Sequence, residues 1–593
     1  MIRIMNSLTM IIKYWLKSKK NFILAFILQL FSTICTTLVP IFIGRLVGTI
    51  DLNLPYNTNA ANLWINFIII IIFSVLAFIL NRSGRIKSAE VSSRAMYELR
   101  SDISNAIYRQ SFSYFDKTET GQLVSRATSD VEQTMMIFGF GLVHGVLAIF
   151  QLVAVIISTL FIQTYLSILF IIIIPIALIS SYIVAMKLKP IYLETRESFG
   201  ELTNTIRENI IGAEIVRIFS KQDKENKKFE QDNTRFLNAN IRSLKFNTYL
   251  SVTNVIFLAL LSILTLFIGG NLILQNLITI DVLITFQSYI GLIGIPLMFF
   301  GQILLFYIQA DAALTRIREV LESTPEIKNS PNAIPIKSGD LKAEIIFDDV
   351  SFGYTPQNLV LKNISFKVPP GQKLAILGTT GSGKSTIINL LPRFYDIKDG
   401  SIKIDGRDIK KYLIKDLRKN IGIVSQDTFL FNKSIKQNIA YGIVDFDQAE
   451  VVKAAKVADL HDFVMTLPDQ YDTIVGERGT RLSGGQKQRL SIARALMIKP
   501  KILIFDDSTS SVDVETEYNI QQALEKIMKD TTTIIITQRI STIRNADQIL
   551  VLDKGRVVGL GNHEELINSN VLYKQIYQTL YYKQKSNEIK EGE

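Results

Sequence analysis

The chain has 593 residues, too many for one ordinary domain. Its mean hydropathy of +0.25 and 48% hydrophobic content are high for a soluble protein, and the uncharged apolar runs crowd residues 22–308. The net charge of +11 would suit a nucleic-acid binder, but the basic residues cluster beside apolar spans, as the positive-inside rule requires, so no nucleic acid is expected as a partner. One cysteine, Cys35, lies in an apolar run; it excludes an internal disulfide and reads as a buried, inert thiol.

In chain order, "MIRIMNSLTMIIKYWLKSKK" alternates apolar residues with cations and predicts a helix on the inner membrane face. No small-residue cleavage site follows the first apolar run, which argues against a cleaved signal. Six stretches reach spanning length, near 22–47, 63–81, 136–161, 164–186, 247–274 and 282–308. The connections "TIDLNLPYNTNAAN", "IQTY" and "LQNLITID" carry no Lys or Arg, whereas 82–135 and 187–245 carry many. This asymmetry predicts a multi-pass protein of the cell membrane with both termini in the cytoplasm.

The two long connections are patterned as helices, so membrane helices two to five are expected to continue into the cytoplasm and to turn near "SYFDKTETG" and "NIIGAEIVRIF". Those turns are candidate docking points. The spans hold amides (Gln29, Gln151, Gln287, Gln302) and almost no charge, Arg45 being the main exception, which argues against a proton or ion pathway.

From about residue 341 the pattern becomes strands, turns and helices. "KLAILGTTGSGKSTIINLL" is an apolar strand, a glycine loop and a helix, in which Gly378, Gly383, Lys384 and Ser385 fit G-x-x-x-x-G-K-[ST]. Glycines let backbone N–H groups wrap a phosphate chain, the lysine adds a point charge and the serine ligates Mg²⁺. The expected nucleotide loop is Gly378, Thr379, Thr380, Gly381, Ser382, Gly383, Lys384, Ser385 and Thr386. The later strand "ILIF" runs into Asp506, placed as a carboxylate holding Mg²⁺ through water is in P-loop enzymes.

"LSGGQKQRLSIARAL", residues 482–496, resembles the signature of ATP-binding-cassette transporters. Tyr354 in "VSFGY", Gln426 in "GIVSQDTFLF", "TIVGERG" at 473–479, and "SSVD" ending at Asp513 match other parts of that family. "YFDKTETGQLVSRATSDVE" and "ENIIGAEIVRIF" resemble its exporters. The resemblance implies an all-α six-helix transmembrane domain (1–325), a linker (326–340), an α/β P-loop ATPase domain (341–582) and a polar tail (583–593). It implies ATP and Mg²⁺ as cofactors. Tyr354 would stack on adenine, and Gln426 would reach Mg²⁺ beside Ser385 and Asp506. Ser483, Gly484, Gly485 and Gln486 would complete an ATP site in trans, with Asp513 in the adjoining loop.

Two positions depart from the family pattern. Asp507 stands where the family has Glu, and Gln538 where it has a switch histidine. A carboxylate one methylene shorter is misplaced by roughly 1 Å, which can cost about a hundredfold. A neutral amide cannot carry an imidazole's proton. The pattern implies a degenerate ATP site in a heterodimer, whose partner subunit has the intact Glu and His, exporting hydrophobic or amphipathic compounds such as drugs or lipids across the lipid bilayer. The alternatives are a homodimeric lipid or peptide exporter, or a regulatory ATP-binding membrane module without transport. Bacteriocin-type exporters often carry a cysteine peptidase, and Cys35 in its apolar run offers none.

Overall fold

The computed structural model describes residues 2–49, 56–138, 141, 145–337, 339–355, 357–506 and 531–591, so Asp507 and Asp513 lie outside the described residues. The chain divides into two compact units. One runs up to Arg109 and resumes over Thr118–Ser323; the other holds Gln110–Lys117 and everything from Thr324 onward.

The helices of the first part of the chain are α1 (Ile2–Leu16), α2 (Lys19–Gly48), α3 (Tyr56–Tyr108), α4 (Phe112–Lys117), α5 (Thr120–Ser125), α6 (Val131–Met136), α7 (Val146–Ile162), α8 (Thr164–Ile211), α9 (Ala213–Ile218), α10 (Gln222–Leu274) and α11 (Ile280–Glu322). Five described helices are long and apolar enough to cross a membrane: Lys19–Gly48, Ala60–Tyr108, Thr164–Ile211, Gln222–Leu274 and Ile280–Gly301. A shorter apolar helix, Leu147–Ile162, lies within the stretch read as the third span. Helix α3 begins at Tyr56, inside the polar stretch read as a loop. The connection read as "IQTY" narrows to one extended residue, Gln163, between α7 and α8.

At 1.5 Å per residue the 53 residues of α3 and of α10 each span about 80 Å, far more than the roughly 30 Å of a bilayer core. The surplus of α8 and α10 is joined by a ladder of ion pairs. Arg242 pairs with Glu194 at 3.0 Å, Arg235 with Glu201, and Lys228 with Glu208 at 3.1 Å. Acids and bases each recur every seven residues, so one face of each helix stays turned to the other over two heptads. These pairs are half exposed; each contributes about 0–1 kcal/mol, so they fix register more than stability.

Nearer the spans, α2 and α11 approach closely. A Cβ on Gly44 would fall 1.9 Å from Thr285 Oγ1, and the buried Tyr289 hydroxyl donates to the Thr37 carbonyl at 2.9 Å. Most intramembrane amides find carbonyls: Gln151 Nε2 donates to Leu292 O, Gln287 Nε2 to Ser262 O and Asn254 Nδ2 to Leu297 O. Cys35 is buried and free.

The second unit carries two sheets. An antiparallel sheet is ordered β2 (Leu361–Val368), β1 (Ile345–Phe352), β4 (Asp399–Ile404), β5 (Arg407–Asp408). A six-stranded sheet is ordered β10 (Arg556–Gly561), β9 (Gln548–Asp553), β3 (Lys373–Gly378), β8 (Thr532–Ile536), β7 (Ile502–Asp506), β6 (Ile421–Val424). Strands β9, β3, β8, β7 and β6 are parallel neighbours. Their near-continuous apolar runs, "LAIL" in β3 and "ILIF" in β7, are buried on both faces, as parallel sheets demand.

Candidate nucleotide site

The site forms where parallel strands end, the edge at which open α/β sheets bind ligands. Strand β3 ends at Gly378 and leads into the loop 379–383; helix α12 (Lys384–Leu390) follows. Strand β7 ends at Asp506, in register with Ile536 of β8. Strand β8 delivers Thr537 and Gln538, and β6 leads to Gln426. Gly378, Thr379, Thr380, Gly381, Gly383, Lys384, Ser385, Thr386, Gln426, Asp506 and Gln538 line one recess of about 520 Å³. Residues more than 150 positions apart in sequence therefore converge on one recess.

The glycines are required by geometry. Gly378 has φ +155, and a Cβ there would sit 2.3 Å from Leu552 O and 2.6 Å from Ser382 Oγ. Gly383 at φ +102 has a conformation that side chains with a Cβ resist. Lys384 Nζ donates to the carbonyls of Gly378 and Thr379, 2.9 Å each, which holds the ammonium over the loop. Ser382 is buried, 1% exposed.

Ser385, Gln426 and Asp506 bring a hydroxyl, an amide oxygen and a carboxylate to the same recess, the hard oxygen set that Mg²⁺ takes. The residues fit ATP with Mg²⁺: the loop's N–H groups and Lys384 would cradle the phosphates, and the three oxygen donors would hold the metal. Bound there, the ion supplies neutralisation of the phosphate charge.

Tyr354 is partly exposed and its hydroxyl lies 3.3 Å from Thr386 Oγ1. Its ring meets Tyr395 edge-on, at 5.2 Å and 90°. Tyr395 in turn donates to Asp116 Oδ2 of α4 at 2.8 Å, and its hydroxyl pKa is pushed up by burial and by that carboxylate.

The signature residues do not line this recess. Ser483 caps the helix Gly484–Met497, with Ser483 and Gln486 exchanging capping-box bonds of 3.3 and 2.9 Å, and Ser483 and Gly484 are exposed. A helix start exposed on the surface is suited to an anion supplied from elsewhere. Among the lining residues not anticipated are Ile576 and Leu580 of the C-terminal helix Val571–Glu591. Their signal is the apolar spacing in "VLYKQIYQTL".

Residues 22–297 match the ABC transporter transmembrane region and residues 361–510 the ABC transporter family. The chain is 36% identical over 575 residues to the ABC transporter ATP-binding protein YknU of Bacillus subtilis, with 96% of both chains covered. It is 35% identical to YgaD of the same organism, which bears the name of a multidrug export ATP-binding/permease protein, over 82% of this chain and 84% of that one. A solved bacterial Atm1-family ABC exporter with ATP bound superposes with a TM-score of 0.83 at 28% identity, covering 94% of this chain and 98% of the other. The chain belongs to the ABC transporters: it is a membrane-embedded exporter that joins a helical transmembrane region to a transport-coupled ATPase domain.

Proposed function

We propose that this chain is one subunit of a heterodimeric, ATP-driven exporter of hydrophobic or amphipathic compounds, with its own ATP site degenerate and its signature completing the partner's site. The observation that carries the reading is Gln538, which lines the same recess as Lys384 and Asp506 and offers only a neutral amide there. Asp507 follows the metal carboxylate directly in sequence and adds the second departure. The intact Ser483–Gln486 capping box, exposed at a helix start, is the half that a competent partner needs. The multidrug names of YgaD and of a Staphylococcus aureus relative, 35% identical over 82% of this chain, support the substrate class.

In this reading the ATPase domain, both termini and the two turns between the long helices lie in the cytoplasm, where the turns dock on ATPase domains. Helix α9 presents Ile215 and, just beyond it, Ile218 and Phe219, all well exposed, as an apolar tip suited to the partner's domain.

The test compares ATP hydrolysis by the purified chain alone with that of its complex with a co-expressed second half-transporter. Turnover at least tenfold higher in the complex is expected. Vigorous turnover by the chain alone, abolished by Lys384→Ala, would overturn the degenerate-site reading. Absence of ATP-driven movement of any amphiphile in vesicles of the complex would overturn export.

A further inference from the structure

Within the membrane unit, a recess of about 870 Å³ opens between α2, α3 and α11. That volume is typical of small-molecule sites, roughly 300–1,000 Å³. Its walls are mostly apolar, with the hydroxyls of Thr36, Ser74 and Ser288 among them. Val39, Pro40, Ala77 and Phe78 line it, and a Cβ on Gly291 would meet nothing within 4 Å.

Two cations line the same recess, Arg82 and Arg85, and no Asp or Glu is among its described lining residues. Arg85 Nε donates to Asn81 Oδ1 at 2.8 Å, a neutral partner on its own helix. Among the described residues neither guanidinium forms an ion pair, although Lys87 in the next turn pairs with Glu90 at 2.8 Å. Arg82 and Arg85 follow directly on the apolar stretch 63–81, and cations at such a level face a cavity, pair, or reach the interface.

A buried amide packs on another face of the same turn of α3, outside the recess lining. Gln29 is 3% exposed, and neither its Nε2 nor its Oε1 has a hydrogen-bond partner among the described residues. A Cβ on Gly84 would fall 2.8 Å from that Nε2, and Gly84 shares a helical turn with Arg82 and Arg85. A buried amide without partners is unusual enough to need a cause. Gln151 and Gln287, elsewhere in the spans, both reach carbonyls.

The level of this cluster follows from the packing of α2 on α3. Ser32 Oγ donates to Ala77 O at 3.0 Å, and Asn21 meets Glu90 at 3.0 Å. The arginines lie between these two contacts, at the start of the apolar run of α2. The recess continues from them along α2 to Val39, Pro40 and Ile43. It is cationic at one end and apolar along its length.

We propose that this recess is the substrate site and that it selects amphipathic anions. The anionic head sits on Arg82 and Arg85, and the apolar body lies along Val39, Pro40 and Ile43. This assignment rests on the export reading above and narrows its substrate class. Guanidinium forks suit a sulfate, phosphate or carboxylate head.

The test uses the full-length chain in its native assembly, reconstituted in phosphatidylcholine vesicles, with dodecyl sulfate, dodecyl maltoside and dodecyltrimethylammonium as probes below their micelle concentrations. ATP-dependent uptake and its half-saturating concentration are measured for each. The anion is expected to saturate at least tenfold lower than the cation. The double variant Arg82→Gln/Arg85→Gln should raise the anion's half-saturating concentration tenfold or more and leave the other two unchanged, while Arg82→Lys/Arg85→Lys retains most of the preference. Gly291→Leu, which fills the recess without touching charge, should weaken all three. Equal or better transport of the cation, or a double-Gln variant that handles the anion as wild type does, overturns the assignment and leaves the arginines as anchors for lipid headgroups. ATP-dependent uptake of none of the three overturns the export reading together with it.

Discussion

The Phe112 ring stacks on Phe394, with centroids 4.1 Å apart and planes inclined by 24°. Phe112 belongs to the short helix α4, in the turn between two long helices, and Phe394 follows the helix of the nucleotide loop. The Arg418 guanidinium covers the other aromatic partner, 5.2 Å from the Phe394 ring, and donates to the carbonyls of Pro392 and Arg393 at 3.0 and 2.8 Å. The neighbouring Tyr395 binds Asp116 on one side and meets Tyr354 on the other. A continuous set of contacts thus runs from α4 to the residue expected against adenine.

Phe112→Ala should therefore separate hydrolysis from transport. An aromatic pair contributes about 0.5–1.5 kcal/mol beyond its buried area, enough to loosen the contact without unfolding either partner. Basal ATP hydrolysis of the assembled exporter is expected to stay within about twofold, while ATP-driven uptake falls several-fold. Equal loss of both rates would mean that α4 supports the nucleotide site itself and does not link it to the spans.

The ion-pair ladder of α8 and α10 makes a sharper test of register. Glu201→Arg alone places like charges opposite Arg235 and should lower thermal stability slightly; Arg235→Glu alone should do the same opposite Glu201. The double exchange should restore it, with a coupling of about 0.2–1 kcal/mol, weakened by salt. Additive losses in the double variant would show that this pair does not set the helix pairing.

These examples show how far the sequence could be read. Gly378 to Ser385, Asp506 and the two helical turns were legible because each is a contiguous pattern whose physics is local: glycines before a helix, an apolar run ending in Asp, a break at Gly212. The contact of Tyr395 with Asp116 joins positions 279 residues apart and leaves no local trace. The ladder was present as seven-residue spacing, but its charges read as the basic loops of a membrane protein until the antiparallel register paired them. The start of α3 was missed because "YNTNAAN" is polar, and polar residues at a helix end look like a loop.

Acid should weaken the ATPase domain through His563. Its Nδ1 lies 2.6 Å from the hydroxyl of Tyr573, which is fully buried and has its pKa pushed up to about 12 by that burial. Burial and then Arg544 lower the His563 pKa, against a smaller opposing effect of Glu564. A histidine lowered in the folded state contributes its stability above its unfolded pKa, about 6.5, and loses it as pH falls through the folded value. The melting temperature should fall between pH 7 and pH 5, and less so in His563→Gln. An identical fall in both proteins would assign the acid sensitivity to other groups.

The asymmetric-site reading makes its strongest demand on two residues that look unequal in the opposite sense. Asp507 follows the carboxylate expected to hold the metal and resembles the catalytic position, whereas Gly484 stands at the exposed start of a helix outside the recess of its own chain. If hydrolysis occurs mainly at the partner's site, Ser483 and the N–H groups of Gly484 and Gly485 act on the γ-phosphate there. Bulk and negative charge at Gly484 would then block the approach and repel the phosphate. Losing transition-state donors of this kind costs about 2.7–4 kcal/mol, or roughly 10² to 10³ in rate. Asp507→Ala removes a group from a site that contributes little turnover, so it has little rate to remove. In the reconstituted heterodimer, Gly484→Asp should lower ATP hydrolysis at least a hundredfold and Asp507→Ala less than threefold, with ATP still bound at the degenerate site in both. Abolished hydrolysis in Asp507→Ala, together with near wild-type hydrolysis in Gly484→Asp, would mean that this chain hydrolyses its own ATP.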